Sequence, residues 1–76
     1  MTRTKQVIKL ITDNLDISSS NVTAEHNLID DLGADSLGVV EIVMEIEDEF
    51  NVTIPEEAIE KFHTIEDIVS WLDINT

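Results

Sequence analysis

Ser36 stands in the run Asp31-Leu32-Gly33-Ala34-Asp35-Ser36-Leu37, and its hydroxyl is the group here best placed for covalent chemistry. To act as a nucleophile in its own right, a serine needs a neighbouring base. The only histidines, His26 and His63, fall in connecting segments. The G-x-S-x-G spacing of a nucleophile elbow is also absent, because Gly33-Ala34-Asp35-Ser36-Leu37-Gly38 spaces its glycines differently. A 76-residue chain leaves little room for a substrate pocket of ordinary size. With no cysteine, disulfides, thiolate zinc sites and a cysteine nucleophile are excluded together. The chain is therefore not read as an enzyme, and no catalytic residue or metal site is assigned. Ser36 fits better as an acceptor of modification. At the first position of a helix, free backbone N–H groups and the helix dipole favour a phosphate. Gly33 just upstream permits backbone geometries closed to other residues. On local pattern alone, an ordinary first-turn serine remains the simpler account.

The elements that would hold Ser36 follow from apolar spacing. Val7, Ile8, Ile11 and Leu15 share one face at about 100° per residue, which predicts a first helix, with Thr2 or Thr4 as its cap. Helical spacing lapses from Asp16 to Ala34, a connection long enough that it must pack or work. Its scattered Val22, Leu28, Ile29 and Leu32 suggest that it packs over a bundle. Asp35 is a good N-cap for a second helix running to about Phe50, with Val39, Ile42, Val43, Ile46 and Phe50 as its core stripe. Thr53-Ile54-Pro55-Glu56 has a capping-box pattern with a proline tolerated in a first turn, leading into Ala58, Ile59 and Phe62. Thr64 with Asp67 repeats that logic, and Ile65, Ile68, Val69 and Leu72 form the buried face of the last helix. No segment alternates with period two. The expectation is an all-α single domain over residues 1–76: a four-helix bundle of three principal helices and one short one, with a long first loop.

Four basic residues face seventeen acidic ones, for a formal net charge of −13. Between Leu10 and Glu60 lie fourteen acids and no Lys or Arg. Such a field repels nucleic acid and anionic membrane surfaces and attracts basic protein surfaces. No apolar run is long enough to span a membrane, and Met1–Gln6 lacks the apolar stretch of a secretory signal, so a cytoplasmic protein is expected. With 42% hydrophobic residues this is not a disordered acidic tail. The second helix carries a further apolar set, Leu37, Val40 and Met44, roughly opposite its core stripe and flanked by Glu41, Glu45 and Asp48. An apolar strip inside an acidic border, starting beside Ser36, reads as a docking face. Scattered exposed apolar residues or a loop folded over the strip would explain it otherwise.

The stretch Asp30-Asp31-Leu32-Gly33-Ala34-Asp35-Ser36-Leu37, then Val40-Glu41-Ile42-Val43-Met44 and Glu47-Asp48-Glu49-Phe50, resembles the discrete acyl carrier proteins of bacterial-type fatty acid synthesis. The resemblance continues through Ile54-Pro55 and the last helix, over essentially the whole chain. It implies a phosphopantetheinyl transferase (holo-carrier synthase) that moves a 4′-phosphopantetheine arm from coenzyme A onto Ser36. The thiol of that arm would hold acyl chains as thioesters, with the chemistry belonging to the cofactor. It further implies that Asp35, Glu41, Glu47 and Asp48 meet basic patches on fatty acid synthesis enzymes and acyltransferases, with Leu37, Val40 and Met44 between them. An acyl chain would shelter among Ile46, Phe50, Ile54, Ile59, Phe62 and Ile68, which read equally well as plain core. A monomer is expected. Position 38 departs from the pattern: Gly38 stands where these carriers commonly place an acid. The bulk of Ile59, Phe62 and Ile68 would narrow the chain pocket.

Other readings stand beside this one. A D-alanyl or peptidyl carrier would use the same serine chemistry. An unmodified acidic interaction module would dock through the same strip. A calcium-binding loop fails on spacing: counted from Asp30, position three is Leu32 and position six is Asp35; counted from Asp31, position twelve is Ile42. Loose binding of divalent cations would still relieve the crowding of acids.

Overall fold

A computed structural model of the chain describes residues 3–76. Helix α1 spans Arg3–Leu15, a single 3₁₀ turn spans Ser19–Asn21, α2 spans Ser36–Phe50, α3 spans Glu56–Ile59 and α4 spans Ile65–Asn75. The all-α expectation holds, with three longer helices, one short one and a long first connection. The closest approach to a strand among the described residues is one isolated antiparallel bridge between Asn27 and Thr64.

Helix α1 packs against both α2 and α4. Val7 and Ile11 are fully buried, as the apolar spacing demands. Thr12 is buried beside them, and its hydroxyl donates to the carbonyls of Ile8 and Lys9 at 2.9 and 3.1 Å, so its own polar group is satisfied. From α2 come Val39, Ile42, Val43 and Ile46; from α4 come Ile65, Ile68, Val69 and Leu72; all are buried in one cluster. Phe50, read as core from its spacing, is only half-buried. The Arg3 guanidinium lies over its ring at 5.9 Å from the centroid and bonds Asp73 at 2.7 Å. One side chain thus ties the ends of α1, α2 and α4.

The predicted caps divide. Thr4 lies inside α1 and does not cap it, and Thr2 lies outside the described residues. The Thr53–Glu56 capping box does not form: the N-cap of α3 is Pro55, whose apolar ring offers no acceptor. The nearby Ile54 N–H is served instead by Glu47 Oε2 at 2.8 Å, a partner seven residues back on α2. The Thr64–Asp67 box forms in full. Helices α1 and α2 both end in left-handed residues, Asp16 (φ 57°) and Asn51 (φ 55°). The next amides, Ile17 and Val52, bond back to Thr12 and Glu47 at 3.0 and 3.1 Å. Asp and Asn are among the few non-glycine residues that adopt this conformation.

Of the apolar residues expected to pack in the long first connection, Leu28 is buried, Val22 and Leu32 are half-buried, and Ile29 is exposed. Leu28 is fully buried and its N–H donates to the His63 carbonyl at 2.9 Å. In return, Ile65 and Glu66 donate to the carbonyls of His26 and Ala24 at 3.3 and 2.8 Å. The connection does not cover the outer strip of α2, where Leu37, Val40 and Met44 stay exposed.

Candidate functional site

Ser36 is the first residue of α2 and its side chain is exposed. Asp35 precedes it in extended backbone (φ −92°, ψ −177°), and its Oδ1 accepts the Gly38 N–H at 2.7 Å. The Val39 N–H bonds the Asp35 carbonyl at 2.9 Å, the first regular bond of the helix. Of the orphan donors every helix start carries, those of Ser36 and Leu37 therefore make no bond among the described residues and lie beside the Ser36 hydroxyl. These are the features that suit a phosphate group.

The chain is led into Ser36 by a stitched turn. Asn27 Oδ1 accepts the N–H groups of Ile29 and Asp30, both at 2.9 Å, and Asp31 Oδ2 accepts the Asn27 N–H at 2.7 Å. Gly33 then takes φ +77°, a left-handed conformation that only a residue without Cβ adopts freely. Its N–H and that of Ala34 bond the carbonyls of Ile29 and Leu28 at 3.1 and 3.0 Å. The sequence reading missed this turn, although Asn27 with Asp30 and Asp31 three and four residues on carries the signature of a side-chain cap.

Gly38 is tied to the same cap. A Cβ at this position would lie 3.2 Å from Asp35 Oδ1 and 3.6 Å from the Ala34 Cβ. Any side chain here would press on the carboxylate that closes the helix start, so the missing acid comes with a close cap.

No base serves Ser36 among the bonds described. His26 Nδ1 accepts the Thr23 N–H at 3.1 Å, and the backbone of His63 bonds Leu28 and Asp67. Among the described residues no group of three or more His, Asp or Glu side chains could hold a metal ion.

The outer face of α2 carries Leu37, Val40 and Met44 at 67, 46 and 58% exposure, with exposed Glu41, Glu45 and Asp48 around them. Glu47 differs from the other acids: it is half-buried and holds Ile54. Ile46, Ile54, Phe62 and Ile68 are buried in the core cluster, and Phe50 and Ile59 pack against it half-buried. Ile29, read from the sequence with Val22, Leu28 and Leu32 as packing over the bundle, is instead 54% exposed on the turn before Ser36.

Helix α4 starts differently. Asp67 Oδ2 accepts the N–H groups of Thr64 and His63 at 3.0 and 2.9 Å, while Thr64 Oγ1 accepts the Asp67 N–H at 3.2 Å. Partial burial works against charge on Asp67, but it is outweighed. The Thr64 and His63 backbone donors, the Thr64 side chain and the nearby His63 together hold the carboxyl below its usual value of 3.8.

Comparison with known proteins places this arrangement. Residues 5–72 match the family described as phosphopantetheine attachment site. The acyl carrier protein of Bdellovibrio bacteriovorus is 46% identical over 68 residues, covering 90% of this chain and 87% of the relative. A solved chain of Mycobacterium tuberculosis described as an acyl carrier protein superposes with a TM-score of 0.90 at 27% identity, covering 99% of this chain and all of that one. The acyl carrier protein of Enterococcus faecalis gives 0.79 at 40% identity, with both chains covered in full. The chain belongs to the acyl carrier proteins, a family built on the phosphopantetheine attachment domain.

Proposed function

We propose that Ser36 is the residue that bears the 4′-phosphopantetheine of this carrier, and that the outer face of α2 receives the enzymes that use it. The family's general role is to carry acyl chains in fatty acid synthesis, as a carrier rather than an enzyme. The observation that carries the assignment is the position of Ser36: an exposed hydroxyl at a helix start where two backbone donors stand open. In the attachment step Ser36 Oγ forms a bond to the phosphorus next to the pantetheine of coenzyme A. The anhydride P–O bond breaks, 3′,5′-ADP leaves, and the hydroxyl proton passes to a base on the transferase, since among the described residues no base bonds Ser36. The Ser36 and Leu37 N–H groups would hold the phosphodiester. Once attached, the group supplies a thiol on which acyl chains are held as thioesters.

A phosphopantetheinyl transferase and fatty acid synthesis enzymes are the partners the family implies. We assign their contact to Leu37, Val40 and Met44, bordered by Asp35, Glu41, Glu47 and Asp48. A net charge of −13 suits partners, acyltransferases included, whose docking sites are basic, and favours fast encounter and release. Glu47 can meet a partner only through whatever its bond to Ile54 leaves free. Ile46, Phe50, Ile54, Ile59, Phe62 and Ile68 are the proposed lining for an acyl chain. They are packed together, so a chain enters only if the helices part. No helix among the described residues is long and apolar enough to cross a membrane. A single carrier domain acting as a cytoplasmic monomer fits these features.

The test is intact-mass spectrometry after incubation with coenzyme A and a broad-specificity transferase. Gain of one phosphopantetheine, abolished in Ser36→Ala, is the expected result. An unchanged wild-type mass contradicts the assignment.

A further inference from the structure

We infer that the turn Asn27–Gly33 is a second docking element, which presents Ile29 beside the acidic Asp30 and Asp31 to the transferase that modifies Ser36. This rests on the reading of Ser36 as the modified residue. A lone exposed isoleucine needs no explanation; the setting of Ile29 does. It is 54% exposed although its neighbour Leu28 is fully buried and anchored to the start of α4 by its bond to His63. The turn is stiff: Asn27 Oδ1 takes the Ile29 and Asp30 N–H groups, and Asp31 Oδ2 takes the Asn27 N–H. The backbone that carries the exposed side chain is therefore held in place and loses little freedom when the side chain is covered.

The turn is also bonded directly to the segment that leads into the site. The Ile29 carbonyl accepts the Gly33 N–H and the Leu28 carbonyl that of Ala34, three and two residues before Ser36. An enzyme that brings the pyrophosphate of coenzyme A to the Ser36 hydroxyl must come within bonding distance of Ser36, and so cover surface next to it. That enzyme needs cationic groups for the phosphates of coenzyme A. Asp30 and Asp31, exposed between Ile29 and Leu32, give that cationic surface a counterpart. The turn thus repeats upstream of Ser36 the apolar-within-acid pattern that Leu37, Val40 and Met44 display downstream.

The experiment measures loading rate against carrier concentration, read by intact mass, for wild type, Ile29→Glu, Ile29→Leu and Asp30→Lys, with Ser36→Ala as the blank. Thermal unfolding checks that each variant is folded. Expected is a fall in kcat/KM of about tenfold for Ile29→Glu, carried by KM, with Ile29→Leu within about twofold of wild type. Asp30→Lys should weaken loading less, and the loss should shrink as salt rises. Should Ile29→Glu fail to fold, Asp30→Lys decides the matter through its KM. Wild-type rates in every folded variant overturn the docking role while leaving Ser36 as the acceptor. A defect confined to later acyl transfer gives the turn to a downstream enzyme. A change of oligomeric state in Ile29→Glu gives it to a second copy of this chain. Either result overturns the assignment to the transferase. A wild type that does not load at all overturns the Ser36 reading itself.

Discussion

At the start of α4 every early backbone donor is taken: Ile65 and Glu66 by the carbonyls of His26 and Ala24, Asp67 by Thr64 Oγ1. At the start of α2, Asp35 takes the Gly38 N–H and those of Ser36 and Leu37 stay open. Both are helix starts with an oxygen-bearing N-cap, so the difference is not one of local propensity. The long first connection runs back over α4 and closes it, but leads into α2 and leaves it exposed. A closed start anchors the connection; an open start next to an exposed hydroxyl can receive a charged group. The flanks follow suit, since α2 shows an apolar strip bordered by acids while the inner face of α4 is core.

The contrast breaks if the two starts prove interchangeable. The largest effect should come from the strip: Val40→Glu or Met44→Glu puts a charge into the exposed apolar face proposed for docking. Each should raise the KM of a partner enzyme about tenfold or more, with thermal unfolding unchanged. Unchanged kinetics in both variants would remove the docking role of α2. The caps come next. Thr64→Ala should cost about 1–2 kcal/mol in urea unfolding and leave the loading rate alone. Asp35→Ala should cost about 1 kcal/mol and slow loading as well, because it loosens the helix start that Ser36 occupies. Equal loading rates in these two variants would erase the distinction.

The smallest effect is with pH. The folded-state pKa of Asp67 lies below its ordinary value of 3.8. Its contribution is therefore fully present above that value and is lost as pH falls through the folded pKa. Stability measured from pH 6 to about pH 2 should fall less steeply in Asp67→Asn than in wild type. Parallel curves would mean that the carboxylate is not the group holding this cap.

Much of this was legible in the sequence, for reasons that differ by residue. Asp35, Thr64 and Asp67 declare themselves because a cap acts within three or four residues. The core faces of α1, α2 and α4 are set by spacing alone, and the strip of Leu37, Val40 and Met44 stands out as the apolar set that spacing leaves over. The sequence misleads where a distant partner intervenes. Glu47 reads as a surface acid, yet it reaches the Ile54 amide. Phe50 reads as core, yet it meets Arg3 from the far end of the chain. Thr53 reads as a cap, but Pro55 occupies the position and the helix starts after it. Ile29 reads as a packing residue, but the bonds around Asn27 and Gly33 leave it facing outward. Ser36 is a separate case: its exposure is local, but its meaning came from resemblance, since a first-turn serine without a base has no chemistry of its own.

The central claim is that the open start of α2 is the place of attachment. Fragment-ion mass spectrometry on the loaded protein tests it directly, because Ser18, Ser19, Ser20 and Ser70 offer the same hydroxyl. The account predicts one added phosphopantetheine, found on Ser36 and on no other serine. Attachment at any of the other four, or an even spread among them, would contradict it.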